Sequence, residues 1–171
     1  MSRHPQSELD TMTILDSQER PPESERARWI SLLAKADAED LERTLDSLEG
    51  VPDYDVLRAP ECGLVMVRGR AGGTGTPFNL GEMTMTRCAV VLKTGETGFG
   101  YVAGRARRHA ELAALFDALL QAPGRRDALE RDLIAPVESR LNENRRSRDA
   151  KTAATKVDFF TILRGEDADP T

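Results

Sequence analysis

The segment Gly69-Arg70-Ala71-Gly72-Gly73-Thr74-Gly75 places four glycines within seven residues, with Arg68 and Arg70 beside them. Backbone amides in such a run can approach a ligand closely and, with two guanidinium groups, form an anion-binding nest. It is not a P-loop, which needs Gly-Lys-Ser/Thr at its end. The same composition serves equally as a hairpin connection or as a backbone surface for a partner. A second cluster, Gly104-Arg105-Ala106-Arg107-Arg108-His109-Ala110-Glu111, sits at a helix entrance. Its arginines and histidine could hold a phosphate or phosphonate. Cations at a helix start oppose the dipole, however, so a carboxylate of the acidic N-terminal half or of another subunit is the expected counter-charge. A third segment, Gly98-Phe99-Gly100-Tyr101-Val102-Ala103, matches G-x-G-x-x-A. A dinucleotide fingerprint follows a parallel strand and opens a helix, whereas this one follows a turn and reads as a strand itself, so the match is rejected.

No complete reaction centre emerges. His4 and His109 are the only histidines, and no CxxC, HExxH or paired-His spacing occurs, so no metal site is expected. Cys62 and Cys88 have no sequence partner for nucleophilic catalysis, and no G-x-S-x-G is present. Cys88 reads as a small core residue.

The elements that would position these residues follow from periodicity. Residues 1–23, with Pro5, Pro21 and Pro22, show no period and read as a disordered arm. Trp29, Leu32, Leu33 and Ala36 make a helical stripe; Asp37 then caps a second helix carrying Leu41, Leu45 and Leu48, which stops at Gly50 and Pro52. Four strands are expected: Tyr54 to Arg58 before Pro60, Leu64 to Arg70, Glu82 to Lys93, and Phe99 to Ala103 after a glycine-flanked turn. Two hairpins in series imply an antiparallel sheet. Leu112, Leu115, Phe116 and Leu119 form a helix ended by Pro123-Gly124. Leu129, Leu133, Val137 and Leu141 form another, broken near Ala135 by Pro136. Residues 142–151 read as a charged mobile connection, and residues 153–165 fit helix or strand. The fold class is α+β: an N-terminal helical hairpin, a central antiparallel sheet of about four strands, and C-terminal helices.

Composition bounds the function. The chain has 171 residues, 39% hydrophobic and 31% charged, with eight aromatics. One domain with a thin core is expected, its apolar surface completed by another chain. Residues 1–60 carry 7 basic and 14 acidic groups, and residues 61–171 carry 17 and 15. The net charge of −5 argues against general nucleic-acid binding. No apolar run spans a membrane, no secretory h-region opens the chain, and two cysteines build no disulfide framework. A cytoplasmic protein is expected. Twenty of the 24 basic residues are Arg, which suits bidentate recognition of carboxylate or phosphate and also follows from GC-rich coding.

Three segments in fixed order, MVRGRAGGTGTPFNLGEMTMTRC (66–88), GYVAGRARRHAELAALFDALLQ (100–121) and AATKVDFFTILRGED (153–167), resemble the G subunit (PhnG) family of the bacterial carbon–phosphorus lyase core complex. The resemblance implies a single domain over residues 24–167, with 168–171 a flexible tail. It implies an accessory subunit in phosphonate catabolism under phosphate starvation, needed to form α-D-ribose 1-methylphosphonate 5-triphosphate from ATP and methylphosphonate with loss of adenine. The implied partners are the I subunit first, then the H and J subunits and the ATPase-like L subunit. No cofactor is expected on this chain alone; an iron–sulfur cluster and S-adenosylmethionine are expected on the J subunit. The candidate ligand or partner contacts are Arg68, Arg70, Gly72, Gly73, Gly75, Asn79, Glu82, Arg105, Arg108, His109, Glu111, Lys156 and Asp158, with no catalytic residue among them. A stand-alone binding module for a phosphorylated ligand, using Arg68, Arg70, Arg105 and Arg108, is the alternative.

Overall fold

The computed structural model describes residues 23–70 and 75–154. The N-terminal arm, Gly72, Gly73, Lys156, Asp158 and the segment 155–167 therefore lie outside the described residues. Two helices come first, α1 (Glu23–Leu33) and α2 (Ala38–Ser47). The strands β1 (Tyr54–Arg70), β2 (Pro77–Leu92) and β3 (Thr97–Ala103) form one antiparallel sheet in the order β1-β2-β3. Helices α3 (Arg107–Gln121), α4 (Arg126–Leu129) and α5 (Ala135–Ala154) follow, with a π-helical turn at Glu130–Ile134. The chain divides into two compact units, Met1–Glu138 and Ser139–Thr171.

The α+β architecture holds, with three strands rather than about four. The two strand candidates on either side of Pro60 are one strand, because the register between β1 and β2 shifts between Arg58 and Glu61. Proline cannot donate to a ladder, but an edge strand with a bulge accepts it without losing a bond. β2 runs from solvent into the core as its composition implies: Pro77–Met83 are exposed, while Thr86, Cys88, Ala89, Val90 and Leu92 are buried.

Helix α3 is the centre of the first unit. Ala110 and every residue from Leu112 to Leu120 are buried, so the helix is enclosed on nearly all sides rather than along one stripe. It packs on all three strands and on α1, α2 and α4. The contact with β3 is unusually close. A Cβ on Gly98 would lie 1.9 Å from the Ala114 carbonyl oxygen, and one on Gly100 would lie 1.9 Å from that of Ala110. The glycines of the rejected dinucleotide pattern are thus the seat on which α3 rests.

One carboxylate lies inside this packing. Asp117 is fully buried and accepts from Arg26 Nε (3.2 Å) and Nη2 (2.8 Å), Trp29 Nε1 (2.9 Å) and the Phe99 amide (2.9 Å). Arg26 Nη2 also donates to the Thr97 carbonyl, and its guanidinium lies 5.6 Å from the Phe99 ring centroid. A buried charge costs several kcal/mol unless paired and hydrogen-bonded; this one is both. It joins α1, α3 and β3.

Past Gly124, Leu129, Leu133 and Val137 of the helical stripe are buried, and Leu141 is half-buried. Pro136 has no N–H and would crowd the carbonyl four residues back. The π-helical turn relieves this: the Ala135 amide bonds to the Glu130 carbonyl, and α5 begins at Ala135. Residues 142–151, expected as a mobile connection, are instead part of α5. The run NENRRSRDAK contains no Gly or Pro and is rich in helix formers, with Arg145 and Asp149 four residues apart.

Three substitutions test this packing. Gly100→Ala should destabilise the chain by about 3 kcal/mol in urea unfolding, because the new methyl meets backbone. Gly63→Ala, with nothing within 4 Å of its Cβ, should be nearly neutral. Asp117→Ala should cost about 3–5 kcal/mol, since it strands Arg26 in a partly buried site.

Candidate functional site

The sequence candidates separate into two groups. The first lies at the start of α3. Arg108 grips Glu42 of α2 with Nε (2.7 Å) and Nη2 (3.0 Å), and its Nη1 donates to Glu111 (3.2 Å). The Tyr54 hydroxyl of β1 donates to the other Glu111 oxygen at 2.9 Å. His109 Nε2 donates to the Leu33 carbonyl at the end of α1, at 2.8 Å. The anion that the helix start requires is therefore Glu42, an internal carboxylate. These side chains fasten α3 to α1, α2 and β1.

The electrostatics follow from the contacts. The hydrogen bonds to Glu42, and then to Glu111, raise the Arg108 pKa well above its ordinary value. The same bond from Arg108 lowers that of Glu42. Burial, then the bond to Glu111, pushes the Tyr54 phenol up. Cys62 is exposed, and its thiol is lowered by a hydrogen bond with Thr86, then by Arg107 and Arg105. Arg105 and Arg107 thus act at the level of Cys62 on β1.

The second group lies on an arm. β3 ends at Ala103, opposite Met85. Beyond that pair β1 and β2 run on with no third strand among the described residues, joined from Gly63↔Met85 to Arg70↔Pro77. Directly opposed residues share a face and neighbours along a strand alternate. One face carries Val65, Val67, Met83, Met85 and Phe78. Leu80, at the register shift, joins them: a Cβ on Gly69 would sit 3.8 Å from Leu80 and 3.9 Å from the Phe78 ring. The other face carries Leu64 and Met66 with Thr84, Glu82, Arg68 and Asn79. Leu64 is 65% exposed, Leu80 66%, Met66 52% and Phe78 45%. Each face of the arm therefore exposes large apolar side chains, Phe78 and Leu80 on the first and Leu64 and Met66 on the second, where they stand among polar and charged residues. On the sheet itself, the side away from α3 leaves Phe99 and Tyr101 exposed as well.

At the tip, Arg70 Nη1 donates to the Gly75 carbonyl at 3.1 Å. Arg68, Gly69, Arg70 and Pro77 line an open cleft of about 580 Å³. The four arginines of the stand-alone binding module do not converge. Arg68 lies six residues past Cys62 on β1, roughly 20 Å along an extended strand. Arg108 is occupied by two carboxylates.

Among the described residues no group of three or more His, Cys, Asp or Glu is placed to hold a metal ion, and no helix is long and apolar enough to cross a membrane. Three structural residues escaped the sequence reading: Asp117, Glu42 and Tyr54. Asp117 had a signal, a lone carboxylate inside LAALFDALLQ.

Because the folded pKa of Glu42 lies below the ordinary glutamate value of 4.5, its stabilising effect is present above that pH and is lost as pH falls through the folded value. The urea midpoints of the wild type and Glu42→Gln should therefore differ at neutral pH and converge as pH is lowered below 4.5.

The family described as phosphonate metabolism protein PhnG matches residues 24–165. The α-D-ribose 1-methylphosphonate 5-triphosphate synthase subunit PhnG of Rhizobium meliloti (strain 1021) is 46% identical over 144 residues, covering 84% of this chain and 92% of that protein. Both the arm and the α3 cluster fall inside the matched region. This chain belongs to the PhnG family of phosphonate metabolism proteins.

Proposed function

We propose that the chain is an accessory subunit of a synthase that makes α-D-ribose 1-methylphosphonate 5-triphosphate from ATP and methylphosphonate, displacing adenine. The relative that is 46% identical carries that subunit name. The observation that carries the reading is the arm. A two-stranded hairpin is marginal in water by itself, and this one has apolar side chains on both faces. Burying a Leu, Met or Phe side chain is worth about 1.5–3 kcal/mol, so covering Leu64, Met66, Phe78 and Leu80 supplies a strong drive to associate.

The neighbour that receives the arm is the I subunit in this reading, with the H and J subunits and the ATPase-like L subunit completing the assembly in the cytoplasm. An iron–sulfur cluster and S-adenosylmethionine belong to the J subunit. The donor set here does not fit a four-iron cluster, which takes four thiolates: Cys62 is exposed, Cys88 is buried, and the chain has no others.

Co-expression tests the assignment. The complete set of subunits should release adenine from ATP and methylphosphonate, and the isolated chain should release none. Leu80→Asp should lower recovery of the I subunit at least tenfold, while the thermal midpoint of the isolated chain stays unchanged. Adenine release by the isolated chain, or full recovery with Leu80→Asp, contradicts the proposal.

A further inference from the structure

The arm that brings the chain to its neighbour also carries a charge pattern. Over residues 62–70 and 75–85 the charged side chains are Arg68, Arg70 and Glu82. Both arginines stand at the tip. They are two residues apart on β1, opposite Asn79 and Pro77, and so share one face, with their Cα atoms roughly 7 Å apart. Between them Gly69 adds no side chain, and the three residues border an open cleft with Pro77. From Gly63 to Arg70 the arm reaches about 25 Å at the rise of an extended strand.

Covering the exposed Leu64 and Met66, which share the face of the arginines, carries these two cations into the neighbour. A guanidinium moved out of water is costly unless an anion meets it. Glu82, on the same face but nearer the body, offsets one charge at most. The synthase proposed above handles groups of the matching chemistry, since Arg forms bidentate bonds to tetrahedral oxyanions. We infer that Arg68 and Arg70 reach into the neighbouring subunit and bind a phosphate or phosphonate group of its substrate. The chain thereby supplies part of a site that it does not itself contain. This inference rests on the proposed function.

The test uses the assembled complex carrying Arg68→Ala/Arg70→Ala, with Arg68→Lys/Arg70→Lys beside it. Subunit stoichiometry is measured first, then KM and kcat for ATP and for methylphosphonate separately. The expected result is normal assembly and a KM raised about tenfold to a hundredfold for one substrate, partly restored by lysine. A raised KM for ATP identifies the polyphosphate as the bound group; a raised KM for methylphosphonate identifies the phosphonate. Normal assembly with both KM values unchanged overturns the inference and leaves the accessory role standing. Loss of subunits in the alanine variant makes the arginines docking contacts and also overturns it. If the wild-type chain joins no synthase, the proposed function itself fails.

Discussion

The first compact unit depends on one close approach: the backbone of α3 resting on Gly98 and Gly100 of β3. At that spacing the helix touches the sheet without intervening side chains, and α1 and α2 cover its remaining sides. Helix and sheet could still slide past one another along such a smooth seat. Asp117 removes that freedom, because its two oxygens take directed bonds from α1 through Arg26 and Trp29 and from β3 through the Phe99 amide. A carboxylate with all its partners in place fixes the relative position of three elements where apolar contact alone would leave it loose.

That arrangement spends the chain's limited apolar residues on one side of the sheet. α3 covers the inner face, whereas on the outer one Tyr101 stays exposed and Phe99 is met only at its ring by the Arg26 guanidinium and is still 39% exposed. The same strands then continue past the end of β3 into the arm, where among the described residues β1 and β2 pair only with each other. The rigid body therefore does one mechanical job: it holds β1 and β2 firmly at their base so that the distal hairpin projects in a defined direction. The Arg108–Glu42 and Tyr54–Glu111 contacts serve that purpose, since they anchor the root of β1 to α3 and α2. Arg108, His109 and Glu111, which resemble a ligand site in sequence, are structural fasteners here.

Much of this was legible in the residues. The stripe from Trp29 to Ala36, the gradient of burial along β2 and the break before Pro136 each have a local cause, and each appears where that cause puts it. Three features were hidden because their causes are not local. Pro60 looks like a strand end until a register shift on an edge strand is known to absorb it. The close seat on Gly98 and Gly100 depends on what lies across from them. For the charge clusters, sequence could set the sign of the needed partner but not its identity; Glu42 is 66 residues from Arg108. The length of the arm followed only from where β3 stops.

Hydrogen exchange measured by peptide on the isolated chain and on the assembled complex tests the central claim most directly, because it reads the arm without altering it. The account predicts rapid exchange of the arm amides in residues 62–70 and 77–85 of the isolated chain, slow exchange of those amides in the complex, and α3 protected in both. Equal protection of the arm in the two states would contradict it.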